Sequence, residues 1–341
     1  MIAPVTGPDV WRGDELQDDT SWILHFDDTM LTEIDELIGR ATSLDLTIPF
    51  DAEQLPFDVC APLFAQARSL IDDGPGFALL RGIPRHRYTQ EQCEILYWAL
   101  GVHYGTPVSQ NSKGHIMGHV RDLGLSMTNP DVRSYQTNSK LDYHADQLPV
   151  DVLGLFCLET AMQGGESKIV SAMEVHNVVQ GERPDLLEVL YGHFNIDWRG
   201  EQPDGEQPWY TQPMYSEAGG KVSTRFTTLA YFHSVVRYGD ELAPSDEQIE
   251  ALEFVQDIAN RPGMALSMDF QPGDIQLLNN MSMLHARESY IDHPDPERQR
   301  HLLRMWVAYP QGEGRQLSPL LDHRYRYVLM GGIPAKKSSS T

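Results

Sequence analysis

His144 and Asp146 stand two residues apart in KLDYHADQ, and His285 follows far downstream in LLNNMSMLHAR. Two imidazoles and one carboxylate can hold one face of an octahedral ferrous ion and leave the other face open for a co-substrate and O2. A little beyond His285, RQRHLLRMWVAYP carries Arg300 and Arg304. On a strand, Arg300, Leu302, Arg304 and Trp306 share one face, and His301, Leu303, Met305 and Val307 the other. Apolar neighbours on both faces indicate a buried strand, where a guanidinium is costly unless paired. A carboxylate ligand is a bidentate, charge-assisted partner for it. The competing reading is an internal ion pair with one of the chain's 49 acids. Charge balance favours the ligand: iron with one aspartate is singly positive, and a chelating 2-oxo dicarboxylate makes the centre negative. An arginine at the far carboxylate then restores neutrality and fixes the chelate's orientation.

The metal reading has to compete with chance. In a chain with 13 histidines, a histidine and an aspartate at i and i+2 plus a distant histidine form a weak pattern. The local contexts and the arginine segment strengthen it. Residues i and i+2 of a strand point the same way, so His144 and Asp146 can reach one ion, and Asp142 lies on that face as a candidate hydrogen-bond partner for a ligand. His115 and His119 in GHIMGHV have the spacing of a helical zinc-protease pair. Residue 116 is Ile where such a site needs a Glu base, and Gly114 and Gly118 oppose a helix.

The elements that must position these groups can be read along the chain. Residues 28–43 place Met30, Leu31, Ile34, Leu37, Ile38 and Ala41 at helical spacing, and 57–71 read similarly. GFALLRGIP (76–84) reads as a buried strand. Thr89 with Gln92 and Ser245 with Gln248 are capping boxes, predicting helices that end near Gly101 and Arg261-Pro262. Residues 103–171 read as strands and turns, 172–191 as helical, 193–198 and 208–226 as strands, and 264–310 as strands again. The expected fold is mainly β with flanking helices, around a double-stranded β-helix (jelly-roll, cupin-like) core. The expected organisation is one catalytic domain over 1–341. It comprises a helical N-terminal region (1–70), a core at 76–310 with helical insertions near 172–191 and 245–260, and a C-terminal extension (311–341) that ends in a frayed AKKSSST.

Composition limits the partners. The 22 prolines and 27 glycines favour a loop-rich, strand-rich fold, and the net charge of −23 argues against nucleic-acid binding. Cys60, Cys93 and Cys157 are odd in number and form no CxxC pair, which suits the reducing cytoplasm. The first residues lack the pattern of a signal peptide, and no apolar run is long enough to span a membrane. The expected partner is a small molecule, and a homo-oligomer stays open.

Six blocks resemble a known family, in its order: GFALLRGIP, LGVHYGTPVSQNSKGHIMGHVRD, SYQTNSKLDYHAD, LGLFCLETAMQGGESKIVSA, FQPGDIQLLNNMSMLHAR and RQRHLLRMWV. Spanning roughly residues 70–310, they are similar to the taurine and aryloxyalkanoate dioxygenase-like (TauD/TfdA-like, clavaminate synthase-like) iron(II)/2-oxoglutarate oxygenases. The resemblance implies that His144, Asp146 and His285 are the catalytic iron ligands and that Arg300 anchors the distal carboxylate of 2-oxoglutarate. It further implies that Ser167 in GGESK helps hold that carboxylate, and that Arg304 assists it or meets an anionic substrate. The His285–Arg300 link is slightly longer than in the taurine enzyme, with HPDPE as the extra loop, so which arginine is the main anchor stays open.

The resemblance also implies the reaction, in which 2-oxoglutarate and O2 are co-substrates and oxidative decarboxylation drives oxidation of an unactivated C–H bond. Hydroxylation is the default, because related halogenases replace the carboxylate ligand that Asp146 retains. Desaturation and cyclisation stay open. Tyr135 and Thr137, alternate members of a segment leading to the core's mouth, are candidate substrate contacts together with Arg304, and Trp198–Tyr215 resembles a lid. Amino acids, other small acids and natural-product intermediates all fit as substrates. Two alternatives are a cupin-like zinc or manganese hydrolase or isomerase, which leaves the arginines unexplained, and a non-catalytic jelly-roll binding protein, which would not need an intact triad.

Overall fold

The computed structural model describes residues 2–126, 129 and 132–336. Two β-sheets form its centre. The larger runs in the order Ile23–His25, Phe77–Arg81, Ile275–Asn279, Val152–Glu159, His301–Ala308 and Thr106–Pro107, with Met117–Val120 also paired to His301–Ala308. The smaller runs Leu266–Met268, Ser167–Ser171, Met283–Arg287 and Leu141–His144. Neighbours in both sheets are antiparallel except Ile23–His25 with Phe77–Arg81. The fold is thus mainly β with flanking helices, and its two facing sheets are those of the jelly-roll class the sequence predicts.

Strand alternation divides the larger sheet between two cores. Ala78, Leu80, Phe156, Leu277, Leu303 and Met305 pack against a layer of helices, whereas Leu79, Leu153, Leu278 and Trp306 face inward with Ile169 and Leu284 of the smaller sheet. The helical layer is Asp28–Ser43, Ala61–Asp72 and Gln90–Tyr104. Its apolar stripe follows the period read from the sequence, with Ile34, Leu37, Ile38 and Ala41 all buried. Both capping boxes form. Thr89 caps the Gln90–Tyr104 helix and Ser245 caps Asp246–Ala259. The helices Ala172–Glu182, Pro184–Leu190 and Asp246–Ala259 cover the outside of the smaller sheet through residues such as Leu187, Leu252 and Val255.

One expectation changes. The segment holding Tyr135 and Thr137 is no strand: Ser134–Gln136 forms one 3-10 turn, with Thr137 N–H bonded to Ser134 O at 3.2 Å. Short polar residues here satisfy the backbone locally and so compete with a ladder. The C-terminal extension packs onto the core. Its helix Asp322–Leu329 sends Arg324 inward, 3.7 Å over the ring of Trp198 and 4.1 Å over that of Tyr210. Most of the expected frayed end, residues 337–341, lies outside the described residues.

Candidate metal centre and co-substrate pocket

His144 closes the Leu141–His144 strand and stands directly opposite His285 in the register of the neighbouring strand. Their rings are 4.2 Å apart, centroid to centroid. Asp146 lies two residues past the strand end and is brought back by a local net of hydrogen bonds. Its N–H donates to Asn280 Oδ1 at 2.9 Å, and its carbonyl accepts from Asn280 Nδ2 at 3.2 Å and from the Arg225 guanidinium. Asp146 Oδ1 then sits 3.7 Å from His144 Nε2 and 3.8 Å from His285 Nε2. One ligand atom from each of the three residues falls within 4.8 Å of the others.

These residues fit a ferrous ion. His285 Nε2 is buried and has no hydrogen-bond partner among the described residues. The His144 ring pairs Nδ1 with Asp142 O at 2.8 Å, which leaves Nε2 turned to the centre. Burial, and next the neighbouring His285, push His144 down to about 3, so its ring is neutral and able to ligate. Burial alone would raise the Asp146 carboxyl, but the Arg304 guanidinium and both imidazoles outweigh it and hold Asp146 well below the ordinary aspartate range. The expected Asp142 contact is made by its carbonyl, while its carboxylate is half-exposed, 3.7 Å from Lys140.

A cavity opens on the triad. Arg300, Ser167, Arg304 and Tyr135 all line it. Arg304 already has partners. Its Nη1 is 3.3 Å from Asp146 and its Nε donates to Gln110 Oε1 at 2.7 Å. Arg300 differs, being 3% exposed with Nη1 unbonded among the described residues and Nη2 3.5 Å from Gly165 O. Its guanidinium lies 5.2 Å over the Tyr290 ring. Burial pushes its pKa down, the mark of a desolvated cation. Thr137 is buried but does not line the cavity, and its hydroxyl donates to Ser134 O at 3.0 Å.

Several lining residues carry no signal in their spacing. Arg133, Glu201, Thr227 and Tyr231 converge on the end of the cavity beside Tyr135. Arg133 donates to Tyr231 Oη at 3.2 Å and lies 3.6 Å from Glu201. Glu201 comes from the segment read as a lid, although Trp198 in that segment is fully buried. Arg287 was detectable: it lies two residues after His285 on one strand and therefore on the same face. His115 and His119 form no centre. His115 is exposed beside Asn111, and His119 Nδ1 pairs with His301 Nε2 at 2.9 Å.

Comparison with known proteins agrees with this geometry. The profile of the family described as "Taurine catabolism dioxygenase TauD, TfdA family" matches residues 42–306. FR-33289 synthase of Streptomyces rubellomurinus (strain ATCC 31215) is 34% identical over 327 residues, covering 94% of this chain and 95% of the relative. Taurine hydroxylase-like protein SAT17 of Stachybotrys chartarum (strain CBS 109288 / IBT 7711) is 27% identical over 272 residues, 74% of this chain and 68% of the relative. Asparagine oxygenase in complex with Fe(II), 2S,3S-3-hydroxyasparagine and succinate superposes with a TM-score of 0.68 at 15% identity, covering 93% of this chain and 100% of that one. The non-heme iron oxygenase OrfP, bound to Fe and alpha-ketoglutaric acid, gives a TM-score of 0.57 at 15% identity, covering 84% and 94%. At such identities these two likenesses are of fold. The family match and the 34% relative go further: this chain belongs to the TauD, TfdA family of iron(II)- and 2-oxoglutarate-dependent dioxygenases.

Proposed function

We propose that this dioxygenase hydroxylates a small, polar, acidic molecule, with His144, Asp146 and His285 holding the iron and Arg300 and Ser167 receiving the distal carboxylate of 2-oxoglutarate. The observation that carries the assignment is one cavity with three convergent ligand atoms and, on its wall, a buried guanidinium that lacks an internal carboxylate partner among the described residues. When bound, iron with 2-oxoglutarate would activate O2, one oxygen atom going to succinate as CO2 is lost and the other to the C–H bond. The chain supplies placement. Ser167 and Arg300 fix the far end of the keto acid, Arg304 and Trp306 hold the Asp146 carboxylate, and the apolar walls at Leu155 and Leu302 exclude water.

The substrate end combines charge and aromatic surface in Arg133, Glu201, Tyr135 and Tyr231. That mixture suits a small molecule bearing both acidic and donor groups, such as an amino acid or a natural-product intermediate. The relative named FR-33289 synthase supports a biosynthetic step, and the bound hydroxyasparagine of asparagine oxygenase supports an amino-acid-like ligand. A cytoplasmic setting goes with this reading. The three cysteines are buried and free, and among the described residues no helix is long and apolar enough to cross a membrane.

The test is anaerobic addition of Fe(II) and 2-oxoglutarate to the purified protein. A weak visible charge-transfer band is expected, and His144→Ala should abolish it. Folded protein that gives no band overturns the assignment. Candidate acids are then screened by substrate-dependent succinate formation, and a panel of amino acids and small acids that all fail to raise succinate above the uncoupled rate would reject the substrate class.

A further inference from the structure

Beyond the triad and Arg300, the cavity contains a second buried guanidinium to which the reading so far gives no task. Arg287 is 5% exposed and lines the same cavity. Its Nη2 donates to three carbonyls of one short segment: Thr137 O at 2.9 Å, Ser134 O at 3.4 Å, and Ser139 O. Its Nε and Nη1 have no hydrogen-bond partner among the described residues. Across the strand pair it stands opposite Ser167, the hydroxyl assigned to the co-substrate. It also shares Tyr290 with Arg300, the two guanidiniums lying 4.9 and 5.2 Å from that ring. Neither arginine makes an ion pair with a carboxylate of the described residues.

Two unpaired guanidiniums in one buried corner repel each other. A single carboxylate offers two oxygens with about four acceptor positions, more than Arg300 and a serine hydroxyl fill. We infer that Arg287 is a second anchor for the distal carboxylate of 2-oxoglutarate and that it transmits occupancy of that site to the Ser134–Ser139 segment. The inference rests on the placement of the co-substrate at Arg300 and Ser167.

The link has a physical basis. One corner of the guanidinium holds the segment, while Nε and Nη1, on a side chain that lines the cavity, have no hydrogen-bond partner among the described residues. A carboxylate on the cavity edge fixes the plane of the group, and a fixed plane holds the three carbonyls. The same segment carries Tyr135 of the substrate end, whose ring lies 4.7 Å from the Arg304 guanidinium beside Asp146. Arg287 is thus a positioning residue that connects the two ends of the cavity.

The test compares two keto acids and follows one segment. Anaerobic titrations of the Fe(II) protein use the charge-transfer band to give Kd for 2-oxoglutarate and for 2-oxobutyrate, which lacks the distal carboxylate. Arg287→Gln is expected to weaken 2-oxoglutarate by about 10- to 100-fold, the range for a charge-assisted hydrogen bond, and to leave 2-oxobutyrate within about twofold. In the unaltered protein 2-oxoglutarate should slow amide exchange across residues 134–139, and 2-oxobutyrate should not. Arg287→Lys, which keeps the charge and loses the fork, should retain part of the affinity and lose the exchange effect. It also serves if the glutamine variant fails to fold. Equal weakening of both keto acids, unchanged 2-oxoglutarate affinity, or exchange at 134–139 indifferent to 2-oxoglutarate in the unaltered protein each overturn the inference. Failure of the underlying placement looks different: Arg300→Gln would then bind 2-oxoglutarate as tightly as the unaltered protein.

Discussion

The Trp306 indole N–H donates to Asp146 Oδ2 at 2.6 Å and so leaves Oδ1 as the oxygen that faces both imidazoles. A carboxylate with one oxygen tethered presents the other to the metal in a fixed direction. Trp306→Phe keeps most of the ring and removes the donor. It is expected to weaken Fe(II) binding by about 10- to 100-fold, the usual cost of losing a hydrogen bond to a metal ligand. A Fe(II) titration under anaerobic conditions reads this directly, and an affinity equal to that of the unaltered protein would remove Trp306 from the account.

Arg300 and Arg304 lie on one wall of the cavity but should fail in different ways. Arg304 serves Asp146, and Arg300 has no internal carboxylate partner among the described residues. Arg300→Gln should raise the 2-oxoglutarate Kd by about 10- to 100-fold and leave iron bound. Arg304→Gln removes the largest influence that lowers the Asp146 pKa. That pKa then rises, and the acid limb of iron binding moves to higher pH. The swapped result, a co-substrate defect from Arg304 and none from Arg300, would exchange their roles.

His144, Asp146 and His285, which the structure brings together, could be singled out in the sequence because family-like blocks surround a pattern that residue types alone leave weak, and the arginine face because strands have a period of two. The Thr89–Gln92 and Ser245–Gln248 caps were readable because their partners are three residues apart. Other features depended on tertiary placement. Nothing near Glu201 in sequence indicates that it reaches Arg133 at 3.6 Å. The partner of Arg304 was equally hidden, since any of 49 acids could have filled it. Around Tyr135 the alternation suggested a strand, whereas the backbone closes a turn whose carbonyls Arg287 gathers from the opposite sheet strand. Arg287 itself was within reach of the period-two rule applied one step past His285.

Acid should destabilise the metal-free protein through buried neutral histidines. Burial, then His119, pushes His301 down to about 3, against an ordinary value near 6.5. Between these values the unfolded chain binds a proton that the folded chain refuses, so stability is full above about pH 6.5 and is lost as pH falls toward 3. One such group contributes a slope of about 1.4 kcal/mol per pH unit in that window. His144 adds a second in the absence of metal. Urea unfolding in chelator at pH 7.5, 6 and 5 measures the slope. His301→Gln should reduce it by about one proton, and an unchanged slope would mean that His301 titrates normally in the folded state.

Gly165 offers a test of the anchor that leaves Arg300 in place. Its φ is +78°, and a Cβ there would lie 3.1 Å from Arg300 Nε and 3.2 Å from Tyr290 Cβ. Gly165→Ala therefore adds backbone strain of about 1–2 kcal/mol and presses a methyl group on the guanidinium proposed to hold the co-substrate. The stability loss should appear in the unfolding midpoint. The displacement should appear separately, as a several-fold weaker 2-oxoglutarate with iron affinity unchanged, because the triad sits on other strands and on the hydrogen bonds around Asn280. Destabilisation with full 2-oxoglutarate affinity would show that Arg300 can shift without cost, and that its position is set by the ligand and not by the loop against which it rests.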